Sequence, residues 1–162
     1  MKNEQMNLEH LWMPFSANRD FKSKPRLMNA ANGLYYQKPD GSPVLDGTAG
    51  LWCCNAGHGH EKIVTAIQEQ AAKLDFGPSF QLGHPLAFKA AERLLKLAPS
   101  DAFQYAFFTN SGSEAVDTAL KISMAYQQHI GHTEKTMIIG RERAYHGVGF
   151  GGLTAGGLPS NK

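Results

Sequence analysis

The chain has 162 residues, of which 42% are hydrophobic and 19% charged, a composition that suits one globular domain or a piece of a larger one. A net charge of +2, evenly spread, argues against nucleic acid or a membrane surface as a partner. Cys53 and Cys54 are the only cysteines, and their adjacency is a poor arrangement for a disulfide framework or a chelating pair. With no signal-peptide pattern and no window that approaches a membrane span, a cytoplasmic protein is expected.

The first thirty residues show no periodicity and are predicted to be irregular. An apolar cluster at residues 11–15 contains Trp12 and Phe15. Two explanations stay open for it. Packing on the body of the protein is the simpler one, and contact with a ligand is the other.

Two strand-like runs, residues 33–37 and 43–46, flank an Asp-Gly turn and predict a β-hairpin. The glycine-rich stretch 47–60 that follows surrounds Trp52 and predicts a loop to which backbone or ligand comes close. His58 and His60 alternate in this loop. Without a cysteine or carboxylate at metal-ligand spacing nearby, they are interpreted as loop histidines rather than ligands.

The sequence after residue 60 predicts two helices. Apolar residues at helical spacing indicate one that begins at Glu61. His84 and Pro85 indicate the start of the next, with the proline in its first turn, and Pro99 ends it.

A strand–helix–strand unit is predicted beyond residue 100. Residues 103–108 and 135–140 are short apolar runs of the buried-strand type, and a helix over about residues 114–130 separates them. Such a unit makes the two strands parallel neighbours. Ligands of parallel sheets lie at the carboxyl ends of the strands, where residues 110–113 and 141–147 are expected.

Residues 107–115 run from the first of these strands through an Asn-Ser-Gly-Ser turn into the helix. A helix N-terminus carries backbone N–H groups without intrahelical partners and the positive end of the helix dipole. Gly112 permits the close approach of a ligand, and Ser113 adds a hydroxyl. These features predict an anion site, most naturally for phosphate. An ordinary capped helix with nothing bound is the alternative.

The stretch from Gly147 onward is rich in glycine and shows no closing element, so it is expected to be irregular or partly disordered. Two parallel strands with long helices cannot cover both faces of a sheet. The chain is therefore interpreted as the N-terminal portion of a longer protein.

Four features occur together: Trp52 after Gly50-Leu51, the stretch 109–115, His84-Pro85, and Tyr145-His146-Gly147. In this combination the chain resembles the class III (ω-amino acid) aminotransferases. These are pyridoxal-phosphate enzymes with the α/β fold-type-I, aspartate aminotransferase-like scaffold. Trp52 and the N-terminal arm make it most similar to the branch that transfers amino groups from β-alanine or other ω-amino acids to pyruvate. The resemblance extends from about Leu11 to Gly157.

The resemblance implies roles for individual residues. Gly112 and Ser113 would bind the phosphate of pyridoxal 5'-phosphate, Tyr145 would stack on its ring, and His146 would be a nearby donor. Trp52, Phe15 and Phe80 match positions that line the substrate pocket, Phe80 reaching across a homodimer. For each of these aromatic side chains, packing without contact to a ligand is the alternative.

No catalytic residue is assigned within the chain. The resemblance implies a Schiff-base lysine, an acid paired with the pyridinium nitrogen and a carboxylate-binding arginine downstream of the matched region. Residues 1–57 would then form an arm and small-domain segment, and 58–162 the incomplete start of the large cofactor-binding domain. The chain alone is expected to be inactive.

Two alternatives to amine–pyruvate transamination stay open. The protein could be another class III enzyme, such as a decarboxylase or an aminomutase, that shares the cofactor site but not the substrate. It could also be a non-catalytic module that binds a phosphate ligand or a partner subunit.

Overall fold

A computed structural model describes residues 6–161. The chain divides into two compact units, the first ending at Gly83 and the second beginning at His84. This division separates two parts of the chain that are each compact by themselves. The predicted boundary between residues 57 and 58 concerns the domains of the larger fold and stays a prediction.

The first unit contains a three-stranded antiparallel sheet of β1 (Ala30–Asn32), β2 (Tyr35–Gln37) and β3 (Pro43–Leu45), in that order. The turn between β2 and β3 is closed by Asp40, whose carboxylate accepts hydrogen bonds from the N–H and hydroxyl of Ser42. The predicted hairpin is therefore confirmed. β1 was not predicted, because its sequence Ala-Ala-Asn has no apolar alternation.

Three helices also lie in the described part of the first unit. They are α1 (Asn18–Ser23), α2 (Ala49–Trp52) and α3 (Glu61–Lys73). The prediction of a helix from Glu61 is confirmed. The prediction of an irregular N-terminal arm is wrong for α1, because the Asn18 side chain bonds both the N–H and the carbonyl of Met13 and so braces the chain where the helix begins.

The second unit contains α4 (Pro85–Lys96), α5 (Gly112–His129), the short α6 (Phe150–Ala155) and a 3₁₀ turn at Pro159–Asn161. α4 begins as predicted. Pro85 stands in its first turn, and a ring nitrogen of His84 accepts a hydrogen bond from the N–H of Leu86 at 3.1 Å.

The two strands predicted at 103–108 and 135–140 do not form. In the part of the chain that the structure describes, neither segment has a backbone ladder to the other or to any third segment. Their apolar side chains are also exposed rather than buried, Ile139 among them. A strand exists only through its hydrogen-bonded neighbours, and these two segments are not neighbours. The expectation of a parallel pair was wrong.

The glycine-rich stretch after Gly147 is folded, contrary to the expectation of an irregular tail. α6 packs against α5, and both Gly147 and Gly152 are buried. The N–H of Arg143 donates to the carbonyl of Gly157, and the N–H of Gly157 donates to that of Ala144. The glycines permit this path because several of them touch other backbone, where a side chain would not fit.

Apolar side chains remain uncovered across residues 6–161, and none of them is buried. The apolar residues of α3 and α4 share one face as predicted, but that face is open. Local hydrogen bonds, caps and turns therefore define these elements more than a core does. Among the described residues, no helix combines the length and apolar character that crossing a membrane requires.

Candidate functional site

The N-terminus of α5 is organised by its own side chains. Ser111 caps the helix, and its hydroxyl accepts from the N–H of Glu114 at 3.1 Å. The Glu114 carboxylate turns back and accepts from the backbone N–H of Asn110 at 2.9 Å. This is a capping box of the Ser-x-x-Glu type, displaced by one residue toward the preceding chain. It orders the turn and occupies the backbone N–H of Asn110, which is therefore not available to a ligand.

Two backbone donors remain open at this helix end. Within residues 6–161, no acceptor meets the N–H of Gly112 or of Ser113. Apart from its chain neighbours and the backbone of its own helix, nothing lies within 4 Å of where a Cβ on Gly112 would stand. Two unpaired amides at the positive end of an 18-residue helix form a cradle suited to an anion.

Ser113 links this helix end to the segment 145–148. Its hydroxyl oxygen accepts from the N–H of Val148 at 3.0 Å, which leaves the hydroxyl hydrogen free to donate. Gly147, with φ at +101°, lies against it so closely that a Cβ there would stand 2.7 Å from Ser113 Cα. The structure thus brings the segment of Tyr145 and His146 to the cradle that contains Gly112.

Tyr145 and His146 differ in exposure. The Tyr145 side chain is 55% exposed, and His146 is half-buried. The predicted ring-stacking and donor roles of these two residues stay predictions. The structure fixes the backbone of both residues, because they lie within three residues of Val148, whose N–H donates to the Ser113 hydroxyl.

Asp117 fastens the glycine-rich segment to α5, a role that the sequence did not reveal. Its Oδ1 atom accepts from the N–H of Gly152 at 2.8 Å, and Gly149 and Gly151 lie against the same carboxylate. A Cβ on Gly149 would collide with it. The contact joins residues 35 positions apart, so no local sequence pattern predicts it.

Trp52 lies in an unusual backbone turn in the first unit. α2 is a single left-handed turn in which Ala49, Leu51 and Trp52 have φ between +49° and +68°. A left-handed conformation costs a residue other than glycine about 1–2 kcal/mol. Three such residues within a four-residue turn require compensating contacts, and strain of this kind is concentrated at functional sites.

The Asp46 carboxylate supplies those contacts. Oδ2 accepts from the N–H of Gly50 at 2.6 Å and pairs with Nε2 of His58 at 2.7 Å. Oδ1 accepts from the N–H of Thr48 at 3.2 Å and from its hydroxyl at 3.1 Å. The carboxylate is 4% exposed and the imidazole 12%. The hydrogen bond from His58, followed by those from Gly50 and Thr48, lowers the pKa of Asp46 against the opposing effect of burial.

His58 is not the plain loop histidine that was expected. Its ring pairs with Asp46, which lies 12 residues upstream, and tilts against the ring of Tyr36 with centroids 4.5 Å apart. Burial, followed by the charge of Asp46, raises the pKa of the Tyr36 hydroxyl. No group of three or more potential metal ligands occurs in the described part of the chain.

The three predicted substrate-wall residues all lie in the first unit and are strongly exposed. The exposed fraction is 79% for Trp52, 82% for Phe15 and 89% for Phe80. No hydrogen bond or ring contact among residues 6–161 joins them to each other. These three side chains therefore do not pack within this chain. Their predicted contact with a substrate stays a prediction.

Comparison with known proteins gives one family. Residues 16–161 match the family model of the class III aminotransferases. The chain is 54% identical over 156 residues to an omega-aminotransferase of Caulobacter vibrioides, covering 96% of the chain and 35% of that protein. It is 44% identical over 160 residues to the beta-alanine–pyruvate aminotransferase of Pseudomonas aeruginosa, covering 99% and 36%. The chain thus spans about a third of the length of the curated relatives that it matches.

Solved structures agree with this result. The omega transaminase of Pseudomonas jessenii in complex with PMP superposes with a TM-score of 0.90 at 29% identity, covering 96% of this chain and 34% of that one. An (S)-enantioselective omega-transaminase of Thermomicrobium roseum gives 0.88 at 32% identity, covering 95% and 35%. These likenesses establish the fold-type-I architecture that the resemblance implied.

The cap of α5 provides a first test. Ser111→Ala removes the oxygen that accepts from Glu114 N–H, and it should destabilise the protein by about 1 kcal/mol. Ser123→Ala is the matched control in the same helix, because the Ser123 hydroxyl only bonds back to the carbonyl of Ala119. Urea unfolding of the protein that carries this sequence measures both. Equal losses for the two variants would contradict the capping role.

The Asp46 cluster provides a second test, through pH. Since folding lowers the pKa of this carboxyl from its ordinary 3.8, its ionised form stabilises the folded state above that value. The stabilisation is lost as the pH falls through the lowered pKa. The difference in unfolding midpoint between wild type and Asp46→Asn should therefore shrink as the pH falls from about 5 to below about 4. A difference that stays unchanged down to pH 3 would contradict the argument.

Proposed function

The chain belongs to the class III aminotransferases, a family of pyridoxal-phosphate-dependent enzymes, and from this we propose that the protein carrying it transfers amino groups from an ω-amino acid or amine to pyruvate. The named activities of similar proteins support this choice. They include beta-alanine–pyruvate and omega-amino acid–pyruvate aminotransferases, both 44% identical to the chain. β-Alanine is therefore the first donor to test, and alanine is the expected product from pyruvate.

The observation that carries the proposal is the N-terminus of α5. The open N–H groups of Gly112 and Ser113 fit a phosphate, and the Ser113 hydroxyl can donate a third hydrogen bond. The close approach of Gly147 to Ser113 supports a stacking role for Tyr145, two residues earlier, because an aromatic face suits a flat, electron-poor ring. When bound, pyridoxal phosphate supplies an electron sink for removal of a proton from the substrate carbon. His146 would contribute a hydrogen-bond donor from the same segment.

Trp52, Phe15 and Phe80 form the proposed apolar wall for the amine's side chain. Their exposure leaves their faces available. Among the similar structures is a variant of a thermostable omega transaminase in which a tryptophan is replaced by glycine, engineered for asymmetric synthesis of enantiopure bulky amines. We propose that the Trp52 side chain limits the size of the amine that this protein accepts. The active protein is proposed to be a homodimer, with Phe80 contributing to the partner's pocket.

A diamine is the second candidate donor. The putrescine–pyruvate aminotransferase of P. aeruginosa is 35% identical over 157 residues and covers 96% of this chain. This identity is lower than that to the β-alanine enzyme, so putrescine is expected to be the poorer donor.

The deciding experiment is alanine formation from pyruvate by the purified protein that carries this sequence, with β-alanine or putrescine as donor. We expect turnover that requires pyridoxal phosphate and is faster with β-alanine. The 162-residue stretch expressed alone is expected to give no turnover above free cofactor, because no lysine in it is assigned the covalent role. Absence of turnover in the whole protein with both donors would refute the proposal.

Tyr145 gives a sharper test of the cofactor site. Tyr145→Ala should weaken cofactor binding roughly 2- to 10-fold, since ring stacking contributes about 0.5–1.5 kcal/mol. Tyr145→Phe keeps the aromatic face and should bind nearly as tightly as wild type. Spectroscopic titration with pyridoxal phosphate distinguishes the two variants. If Phe and Ala weaken binding equally, the hydroxyl rather than the ring is the contact.

A further inference from the structure

We propose that Asp46 and His58 are positioning residues that hold the left-handed turn α2 and thereby set where the Trp52 side chain stands. The inference rests on the proposed function only for the role of Trp52 as a substrate wall. The geometry of the turn stands independently of it.

Four hydrogen bonds of the Asp46 carboxylate go to this turn and to His58, and the Tyr36 hydroxyl is a further partner. Both oxygens are used, and the four donors are two backbone N–H groups, a hydroxyl and an imidazole nitrogen. The Gly50 N–H that it binds lies in the middle of the turn, where φ is +59°. A carboxylate can accept all of these bonds at once, which a neutral side chain of similar size cannot.

His58 connects α2 to the turn between β1 and β2. Its backbone pairs with Gly33 in both directions, the N–H of Gly33 donating at 2.9 Å and the N–H of His58 donating at 2.8 Å. Gly57 also packs against the backbone of Gly33. The imidazole then reaches Asp46, so both ends of the loop 47–57 are fixed to the same sheet.

Trp52 itself has little packing that could orient it. Its side chain is mostly exposed, and its backbone N–H donates to the carbonyl of Thr48 at 2.9 Å across the turn. The N–H of Cys54 donates to the carbonyl of Ala49, which closes the same turn from the other side. The backbone of α2 therefore sets the Cα–Cβ direction from which the indole extends, and Asp46 holds that backbone.

Fluorine NMR of the protein labelled with 5-fluorotryptophan reads this geometry directly. The resonance of Trp52 is assigned by its disappearance in Trp52→Phe. In Asp46→Ala the Trp52 resonance should shift or broaden while that of Trp12 stays in place. His58→Phe keeps the ring against Tyr36 but removes the Nε2 contact, and it should shift the resonance less. Asp46→Asn retains one acceptor oxygen, so its Trp52 resonance should lie between those of Asp46→Ala and the wild type.

Asp40→Ala is the matched control. Asp40 makes the same kind of turn contact in the same unit, accepting from the N–H and hydroxyl of Ser42, but it does not touch α2. It should leave the Trp52 resonance unchanged. An unshifted Trp52 in Asp46→Ala, or an equal shift in Asp40→Ala, would overturn the proposal. If Asp46→Ala does not fold, His58→Phe and Asp46→Asn decide it by the same criterion.

Kinetics separates this inference from the proposed function. Loss of a positioned wall should raise KM for the amine about 2- to 10-fold in Asp46→Ala and leave kcat nearly unchanged, because such a wall binds substrate and transition state alike. A fall in kcat without a rise in KM would contradict the positioning role. A wild-type protein without transamination would refute the proposed function, whereas a shifted Trp52 resonance would still support the positioning.

Discussion

The two open N–H groups at the start of α5 are the constraint on which the second unit depends. A helix end must leave several amides unpaired, and here Ser111 and Glu114 satisfy the flanking ones while Gly112 and Ser113 keep theirs. The glycine-rich segment then closes on this end, with Gly147 against Ser113 and Gly152 bonded to Asp117. Two side-chain oxygens of one helix, Ser113 Oγ and Asp117 Oδ1, thus hold the distant segment beside the open amides, and the cofactor proposal follows from that convergence.

The first unit meets a different constraint by similar means. Its loop passes through three left-handed residues that are not glycine, and a single carboxylate, Asp46, compensates for them. Nearly full burial of that carboxylate is tolerable because His58 and the backbone satisfy both oxygens. In both units, side-chain oxygens hold irregular backbone in place beside residues to which we assign a ligand.

Burial of apolar side chains contributes little to holding the elements of these units in place. Helices α3 and α4 form with the predicted amphipathic spacing, yet their apolar faces have no cover among residues 6–161. The elements that form are those with local hydrogen bonds: helices with caps and a hairpin with a closed turn. The segments 103–108 and 135–140 form no ladder, because a strand needs a neighbour that these residues do not supply.

The sequence by itself determined what depends on neighbours along the chain. The hairpin around Asp40, the start of α4 at Pro85 and the α5 turn with Gly112 and Ser113 all follow from short-range rules, and the family resemblance came from the same motifs. Only the tertiary structure decided what depends on distant partners. Asp117 meets Gly152 across 35 positions and His58 meets Asp46 across 12, and no spacing rule announces either contact. The left-handed backbone at Trp52 belongs with them, since local preference opposes it and the Asp46 carboxylate that holds it is itself paired with the more distant His58.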